Sequence, residues 1–425
     1  MKNTIAAALT EGFSNPVRDV LWGHIYLRPT LAELLNSASF MRLCRIFQLG
    51  PVFLAYPGAT HTRASHSIGV YHIGRRLLQN LAERGADQWL SREGVNSFLC
   101  ACLLHDLGHF PYTHSLKELP LASHESLTGA IILKEPMKSL IGKTGADPQL
   151  AAAIVDKEMA APDGSGAELL FYRKLLCGCL DPDKLDYLNR DARYCGVPYG
   201  AQDVDFILSR LHPHIERGAD IDSRLIPNVE ATLFSKYLMY RTVYWHRQVR
   251  SATAMIKKAF IKSLKTGHIK GEDLYGLDDQ SLFALPQGDA SSALARNVQE
   301  GRIYETLLET PFCQTKHSAL LDIDLRCRHE QEIIEEIRRA GIPLKEEDLI
   351  IDIPEQMSFE TGLYVLDEDC YFAESSSAFR QEVVNSFIKT LYTIRVFVNP
   401  EFEKKLKTLL DFYDIFYRRG LYGHH

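Results

Sequence analysis

Seven of the sixteen histidines fall between residues 61 and 124, and one of them, His105, stands directly before Asp106. This pair ends a run made mostly of Phe, Leu, Cys and Ala, where an ionised carboxylate without a partner would lose its hydration at a high cost in free energy. A divalent cation would offset that cost, and imidazole nitrogens combined with carboxylate oxygens suit Mg, Mn, Fe, Ni or Zn. The pair therefore predicts one part of a metal centre.

The remaining ligands are expected on other helices, because a helical metal site is built from side chains that face one another. His66 lies on the helix that precedes the pair, and Asp183 lies far beyond it in the chain. After Asp183, three side chains with i, i+3, i+7 spacing share one helical stripe: Lys184, Tyr187 and Asp191. A carboxylate, a cation and a phenol thus converge beside the predicted metal ligands.

These features also have a purely structural interpretation. A single histidine on an apolar helix is most often a hydrogen-bonded core residue. Residues 180–191 equally fit an ordinary helix start, in which Asp181 or Asp183 caps the helix and Asp186 pairs with Arg190 one turn later. Taken alone, this segment leaves both interpretations open.

Helical periodicity dominates the first 265 residues. Residues 63–83 are expected to form an amphipathic helix that carries His66. Residues 95–107, apolar on almost all sides, predict a central helix with His105 and Asp106 in its last turn. Further helices are expected at residues 29–49, 167–193 and 227–264, and a short strand-like piece at residues 24–27. No period-two pattern appears before about residue 347, so the main body is predicted to be all-α.

The C-terminal part of the chain differs in character. Residues 330–339 predict a charged helix, residues 348–354 and 362–366 predict short strands, and residues 387–399 mix helical and β-branched signals. Residues 278–296, rich in Asp, Ser and Gly, are expected to form a loop or lid. Four regions follow: an N-terminal segment and helix (1–60), a catalytic core (61–265), a helical and loop extension (266–330) and a small α+β region (331–425).

Composition limits the classes of function. At 425 residues, 46% of them hydrophobic, the chain can bury one large core or a main domain with a smaller one. A formal net charge of -6 disfavours a general nucleic-acid binder. The lysine run of residues 257–270 is compatible with one, but a solvated helix face is the favoured interpretation. No apolar stretch or secretory leader is evident, so a cytoplasmic protein without membrane contact is expected, with its nine cysteines reduced.

The motifs match a known family. His66, the His105 and Asp106 pair, and Asp183 have the H...HD...D pattern of the HD-domain metal-dependent phosphohydrolases. More specifically, the chain resembles the deoxynucleoside triphosphate triphosphohydrolases of that family, which include the bacterial dGTPase-like enzymes and the human enzyme with SAM and HD domains. The resemblance runs over about residues 23–260. It rests on these segments: residues 42–43, 48–50, 56–59, 63, 66–70, 105–114, 124–125 and 181–191.

The resemblance implies a mostly α protein with an HD-domain helical core and a small C-terminal α+β appendage. It implies one divalent metal ion held by His66, His105, Asp106 and Asp183. The residues implied in the phosphorus chemistry are His109, His114, His124 and Asp106. Those implied to contact the substrate are Gln48, Leu49, Arg63, Lys184, Tyr187, Asp191 and Tyr244. The expected reaction is hydrolysis of a deoxynucleoside triphosphate to a deoxynucleoside and tripolyphosphate, by a homo-oligomer of two or more chains.

Some of these positions have plainer interpretations. Gln48 and Tyr244 are also compatible with plain core or surface roles. Either His109 or His114 is also compatible with a structural role. His61 and His72 are expected to be bystanders. His72 is six residues from His66 and points to another side of the helix.

The sequence also departs from the human enzyme. Trp245 stands where that enzyme has a glutamine beside its substrate, so no base preference is assigned. Asn36, Met41 and Cys44 replace an Asp, Gln and Arg that bind an activating guanine nucleotide, so that form of control is expected to be absent. Two other functions remain open: a phosphatase or phosphodiesterase of the same type acting on another nucleotide or phosphoester, and a non-catalytic nucleotide- or nucleic-acid-binding module.

Overall fold

The computed structural model describes residues 4–285, 289–355, 357–408, 416 and 421. Helices dominate it. They are α1 (Thr4–Thr10), α2 (Pro29–Leu35), α3 (Ala38–Leu43), α4 (Arg63–Glu83), α5 (Arg92–Leu104), α6 (His124–Ile132), α7 (Met137–Lys143), α8 (Pro148–Val155), α9 (Gly166–Leu176), α10 (Pro182–Cys195), α11 (Val204–Ser209), α12 (Ile226–Met239), α13 (Arg247–Lys265), α14 (Asp279–Phe283), α15 (Asp289–Gln299), α16 (Gln314–His317), α17 (Ile323–Arg339), α18 (Gln381–Leu391) and α19 (Pro400–Lys407).

The strands are short and form three small sheets. They are β1 (Asn15–Asp19), β2 (Gly23–Leu27), β3 (Leu211–His214), β4 (Gly218–Ile221), β5 (Glu305–Pro311), β6 (Leu349–Asp352), β7 (Tyr364–Val365), β8 (Cys370–Tyr371) and β9 (Thr393–Val398). β1 and β2 form an antiparallel hairpin, and the larger sheets have the strand orders β3-β4-β7-β8 and β5-β9-β6. Only the β4–β7 pair is parallel among the described ladders. The predicted mostly α fold with a small α+β C-terminal region is confirmed.

Helix α5 forms the centre of the core. The side chain of Ser91 caps its N-terminus by accepting a hydrogen bond from Gly94 N, and residues 94–104 are all buried. The helix packs against α1, α4, α8 and α9, as its apolar surface on all sides predicts. The chain leaves the helix at His105, so the His105 and Asp106 pair lies just past the last helical residue and not in the last turn as predicted.

Several predicted helices are interrupted. The predicted helix over residues 29–49 is wrong as one element: α2 ends at Leu35, and Ser37 starts α3 by accepting a hydrogen bond from Phe40 N. Residues 167–193 contain two helices, α9 and α10. Residues 227–264 contain α12 and α13, separated by a π-helical turn over Tyr240–Tyr244. Such turns occur often at functional sites.

The predicted loop or lid over residues 278–296 is also wrong. Asp278 caps α14 by accepting a hydrogen bond from Ser281 N, and α15 follows, with residues 286–288 lying outside the described part of the chain. The prediction of an all-α main body fails at β3, β4 and β5. β3 and β4 pair with each other, β4 also pairs with β7 at Ile221 and Val365, and β5 pairs with β9. β3 and β4 have only four residues each, so they leave no period-two pattern of useful length.

The lysine run is solvated only in part: Lys257 and Lys258 at its start are covered, whereas Lys265 and Lys270 are exposed. Lys257 is buried, with Nζ 3.4 Å from Glu118 Oε2. Lys258 Nζ donates a hydrogen bond of 2.7 Å to Glu330 of α17. Further along the helix, Lys262 pairs with Glu347, and Lys265 pairs with Asp324. Later parts of the chain therefore pack on α13 through ion pairs, and the interpretation as a solvated face is wrong for Lys257 and Lys258.

Among the described residues, no helix is both long enough and apolar enough to cross a lipid bilayer.

Candidate functional site

Three of the four predicted metal ligands meet in the structure. His66 on α4, His105 after α5, and Asp183 in the first turn of α10 each offer one ligand atom, and these atoms all lie within 4.8 Å of one another. Asp183 Oδ1 lies 2.9 Å from His66 Nε2 and 3.9 Å from His105 Nε2. Two imidazole nitrogens and an anionic oxygen directed at one point fit a divalent cation. The sequence predicted this convergence from three separate helices.

The hydrogen bonds behind the two imidazoles orient their ligand atoms. His66 Nδ1 lies 2.9 Å from Asp186 Oδ2, and His105 Nδ1 lies 3.0 Å from the carbonyl oxygen of Cys102. In its neutral form, with the ring proton on Nδ1 donated to these acceptors, each imidazole would leave Nε2 free to bind a metal ion. Burial alone would lower the pKa of His66, but Asp183 and Asp186 raise it to about 10. A positive charge between Asp183 and Asp186 is thus strongly favoured, which is the environment that a bound cation needs.

Asp186 is in turn held by a network from the N-terminal hairpin. It is fully buried and accepts hydrogen bonds from Arg190 Nε (2.7 Å), Arg190 Nη2 (2.9 Å) and Trp22 Nε1 (2.6 Å). Arg190 Nη1 also donates to Asp19 Oδ2 at 2.8 Å. The network requires a close approach of α4 and α10, because a Cβ at Gly69 would lie 1.8 Å from Asp186 Oδ1. The pairing of Asp186 with Arg190 that the structural interpretation predicted is therefore present, together with a contact to His66 that it did not include.

The loop that follows His105 is held in place by hydrogen bonds from Arg42 and Thr128 to its backbone carbonyl groups. Arg42 of α3 is buried and donates to the carbonyl oxygens of His109 (2.5 Å) and Leu107. Thr128 of α6 donates to the carbonyl of His105 at 3.0 Å and accepts from Gly108 N at 2.8 Å. A Cβ at position 108 would lie 2.1 Å from the carbonyl oxygen of His124, so glycine allows α6 to approach.

Asp106, the fourth predicted ligand, lies beside the other three and has additional partners. Its Oδ1 is 3.3 Å from His105 Nε2 and 3.1 Å from His109 Nδ1, and its Oδ2 accepts a hydrogen bond of 2.9 Å from Arg63 Nη1. Burial acts to raise the pKa of Asp106, but the neighbouring histidines and Arg63 hold it well below its usual value. The side chain is therefore an anion. Arg63, predicted to contact phosphate, is paired with Asp106 in this structure.

The three histidines predicted to carry the phosphorus chemistry form a cluster. His109 Nε2 and His114 Nε2 are 3.2 Å apart, and the rings of His109 and His124 have centroids 3.9 Å apart. Burial lowers the pKa of His109 and His114 far below the usual value, and that of His124 to about 4. All three are neutral near pH 7. The expected neighbour of His124 is present, since Glu125 Oε2 lies 3.1 Å from its Nδ1.

A single cavity of about 490 Å³ joins these groups. Every residue that the sequence analysis named as a metal ligand, a catalytic residue or a substrate contact lines it: Gln48, Leu49, Arg63, His66, His105, Asp106, His109, His114, His124, Asp183, Lys184, Tyr187, Asp191 and Tyr244. The buried Oε1 of Gln48 has no hydrogen-bond partner among the described residues. An unpaired buried acceptor at a cavity wall is ready to receive a ligand hydroxyl.

One wall of the cavity depends on a residue that the sequence analysis expected to be a bystander. His61 is buried, and its Nε2 lies 2.8 Å from Asp191 Oδ1. The hydroxyl of Tyr244 donates to the other oxygen of Asp191 at 2.6 Å. His61 thus orients Asp191 from behind. His72, also expected to be a bystander, is absent from the cavity lining and stacks on Trp22.

Among the cavity-lining residues that the sequence analysis missed are Lys236 on α12 and Glu360 between β6 and β7. Lys236 Nζ lies 3.1 Å from Glu360 Oε2, and Lys184 Nζ lies 3.7 Å from the same oxygen. A lysine about two turns before Tyr244 is a weak signal on a helix, and a glutamate in a loop is weaker still. Only the packing of the C-terminal region brings Glu360 to the site.

Comparisons with known proteins agree with this geometry. A model of the HD domain matches residues 63–181, and a model of the HD associated region matches residues 210–410. An uncharacterized protein of Bacillus subtilis is 34% identical over 57% of this chain and 54% of its own length. The human deoxynucleoside triphosphate triphosphohydrolase SAMHD1 is 26% identical over 68% of this chain and 51% of its own length. The chain thus spans about half the length of the curated relatives it matches.

A solved structure shares the whole fold. It is a phosphohydrolase from Bacteroides thetaiotaomicron with a TM-score of 0.69 and 22% identity, and the match covers 90% of this chain and 99% of that one. The fold and the site together define a helical protein with a histidine and aspartate metal centre at the wall of a polar cavity. The chain carries an HD domain followed by an HD associated region, as the resemblance predicted.

Proposed function

We propose that this protein hydrolyses deoxynucleoside triphosphates to a deoxynucleoside and tripolyphosphate in a reaction that depends on a divalent metal ion. The observation that carries the proposal is the single cavity in which a His and Asp ligand set, three neutral histidines and several cationic side chains meet. The HD domain supports hydrolysis of a phosphate ester. The similarity to deoxynucleoside triphosphate triphosphohydrolases supports the choice of substrate.

The metal centre would involve His66, His105, Asp106 and Asp183. A divalent cation bound there would supply Lewis-acid polarisation of a phosphate oxygen. In the proposed reaction a water oxygen attacks the α-phosphorus, the bond from phosphorus to the 5′ oxygen breaks, and the proton lost by the water is balanced by one gained at the leaving oxygen. We assign the proton transfers to His124 and His109, because both are buried, neutral imidazoles able to accept and return a proton.

The substrate's negative charge would be held by the cations of the cavity. We assign the phosphate contacts to Arg63, Lys184 and Lys236, with the hydroxyl of Tyr187 as a further donor. Arg63 would divide its guanidinium donors between Asp106 and a phosphate oxygen. This is compatible with its geometry, because one of its nitrogens, Nε, is buried without a partner among the described residues.

The sugar would contact the opposite part of the wall. The free Oε1 of Gln48 is an acceptor for a deoxyribose hydroxyl, and Leu49 approaches the same ring from its apolar side. The phenol of Tyr244, fixed by its hydrogen bond to Asp191, would pack beneath the sugar.

The test is product analysis of the purified protein on the four deoxynucleoside triphosphates and a panel of other phosphoesters, with each of Mg, Mn, Fe, Ni and Zn. The expected products are a deoxynucleoside and tripolyphosphate. Release of free phosphate or of a deoxynucleoside monophosphate would contradict the proposed bond cleavage, and turnover of another phosphoester alone would contradict the proposed substrate.

A matched pair of variants assigns any activity to this site. His105→Ala combined with Asp106→Ala is expected to abolish turnover, whereas His268→Ala, which removes an exposed histidine outside the cavity lining, is expected to retain it. Retained turnover in the double variant would contradict the proposal. Thermal unfolding of each variant separates loss of chemistry from loss of fold.

The alternative of a nucleic-acid-binding module loses its main support, since Lys257, Lys258, Lys262 and Lys265 are paired with acidic side chains. A mobility-shift measurement with single-stranded RNA and DNA tests it directly. Assembly into a homo-oligomer stays a proposal from the resemblance, and sedimentation analysis of the purified protein tests it.

A further inference from the structure

The segment that joins β6 to β7 forms part of the cavity wall. Its residues Glu355, Met357, Ser358 and Glu360 all line the cavity, and we call residues 353–355 and 357–363 the acidic strap. The strap therefore brings carboxylates to a cavity whose cations are proposed to bind a polyphosphate. An anion built into an anion-binding site needs an explanation, because it neutralises charge that the ligand would otherwise use.

Glu360 is held by two lysines and by its own neighbour. Its Oε2 lies 3.1 Å from Lys236 Nζ and 3.7 Å from Lys184 Nζ, and its Oε1 accepts a hydrogen bond of 3.0 Å from Ser358 Oγ. Lys236 Nζ also donates to the carbonyl oxygen of Ser358 at 2.7 Å and lies 5.4 Å from the ring centroid of Phe359. The strap thus makes three contacts with the ammonium group of Lys236 and a longer one with that of Lys184.

Glu360 is more exposed to solvent than Asp181, the other carboxylate beside Lys184. Asp181 is 2% exposed, lies 2.8 Å from Lys184 Nζ, and caps α10 by accepting a hydrogen bond from Lys184 N, so it belongs to the fold. The side chain of Glu360 is 38% exposed, and it lies in a loop. It can turn into water at low cost, whereas Asp181 cannot.

We propose that Glu360 is a specificity-determining residue that occupies Lys184 and Lys236 as an internal competitor for phosphate groups. A ligand with several phosphate charges that reaches both ammonium groups displaces the single carboxylate. A ligand with a single phosphate carries fewer negative charges and therefore competes less well with the carboxylate for the two lysines. The inference rests on the proposed function in that the ligand is a polyphosphate, but it concerns binding and not turnover.

The test measures binding of inorganic tripolyphosphate and of inorganic phosphate to the full chain by calorimetry, without metal and in the presence of EDTA. Glu360→Gln keeps the shape of the side chain and removes its charge, and it is expected to bind tripolyphosphate about tenfold more tightly than the wild type. The gain in affinity for phosphate is expected to be smaller. Ser358→Ala, which removes only the hydrogen bond to Glu360 Oε1, is expected to give a smaller gain in the same direction and serves as the second variant if Glu360→Gln does not fold.

A control variant distinguishes competition at the two lysines from an effect of the protein's net charge. Glu374→Gln removes the same charge from an exposed position outside the cavity lining and is expected to leave both affinities unchanged. Equal or weaker binding of tripolyphosphate by Glu360→Gln would overturn the inference, as would an equal gain for phosphate, an equal gain in Glu374→Gln, or no binding by any form.

The outcome is independent of the catalytic assay. A protein that shows the gain but does not hydrolyse deoxynucleoside triphosphates contradicts the proposed function alone. A protein that hydrolyses them and shows no gain contradicts the role of Glu360 alone.

Discussion

Replacement of Asp186 by Asn is expected to weaken metal binding and to destabilise the fold at the same time. Asp186 is fully buried and receives three hydrogen bonds from Arg190 and Trp22, in addition to its contact with His66 Nδ1. Removal of one partner from a buried ion pair lowers the free energy of unfolding by roughly 3–5 kcal/mol. Here it would leave the buried positive charge of Arg190 with less negative charge beside it. Loss of the acceptor behind a metal-binding histidine lowers metal affinity by about 10- to 100-fold.

The two effects are measured separately, by urea unfolding and by calorimetric titration with Mn²⁺. Asp352→Asn is the matched control, since Asp352 is equally buried and accepts two hydrogen bonds from Arg250, at 2.7 and 2.8 Å, without contacting His66. It is expected to lose a similar free energy of unfolding while retaining the affinity for metal. Equal losses of metal affinity in both variants, or an unchanged affinity in Asp186→Asn, would refute the reasoning.

A milder variant keeps the prediction testable if Asp186→Asn does not fold. Trp22→Phe removes a single hydrogen bond to the same carboxylate, at an expected cost of about 1–3 kcal/mol in the free energy of unfolding. Its metal affinity is expected to lie between those of the wild type and Asp186→Asn.

Three further predictions follow from the site and its surroundings. Gln48→Ala is expected to raise KM for a deoxynucleoside triphosphate about three- to tenfold. The values of kcat and of the free energy of unfolding should stay nearly unchanged, because Oε1 of Gln48 is unpaired among the described residues. Steady-state kinetics check this, and an unchanged KM would contradict it. Tyr244→Phe is expected to cost about 1–2 kcal/mol in urea unfolding and to lower kcat/KM, since it removes a donor from the buried Asp191; wild-type values in both would count against the assigned role. Burial acts to raise the pKa of Asp278, but hydrogen bonds from Ser281 and the charge of Arg45 lower it to about 2. The contribution of Asp278 to stability is therefore complete above about pH 4 and is lost as the pH falls towards about 2. The difference in unfolding free energy between the wild type and Asp278→Ala should narrow over that interval, and a constant difference would contradict this.

The sequence by itself determined the parts of the site that depend on local pattern. The helix over Arg63–Glu83 has the predicted bounds, because apolar residues at helical spacing report the buried face of their own helix. The central position of α5 follows from a surface that is apolar on all sides. The family pattern then named the residues of the cavity wall. Their catalytic and binding roles stay predictions, but their convergence on one cavity is a property of the structure.

Other helix breaks and strands depend on contacts between residues that are distant in the sequence, so local sequence patterns do not indicate them. The break between α2 and α3 was missed, although Ser37 is a good helix cap, since the apolar pattern continues across it. The strands β4 and β5 are stabilised by partners that lie more than 80 residues away, so their own short sequences do not identify them. A residue's periodicity describes which way it faces, not what it meets.

The same reason explains the residues of the site that were missed. His61 was expected to be a bystander because nothing near it in the sequence indicates Asp191, which lies 130 positions later. Glu360 comes to the cavity and to Lys236 only when the C-terminal region packs on the helical core. The residues of the candidate metal centre were encoded in motifs that the sequence displays. The charge balance around the lysines proposed to bind phosphate was decided by the tertiary structure, because electrostatic interactions depend on distance in space and not on distance along the chain.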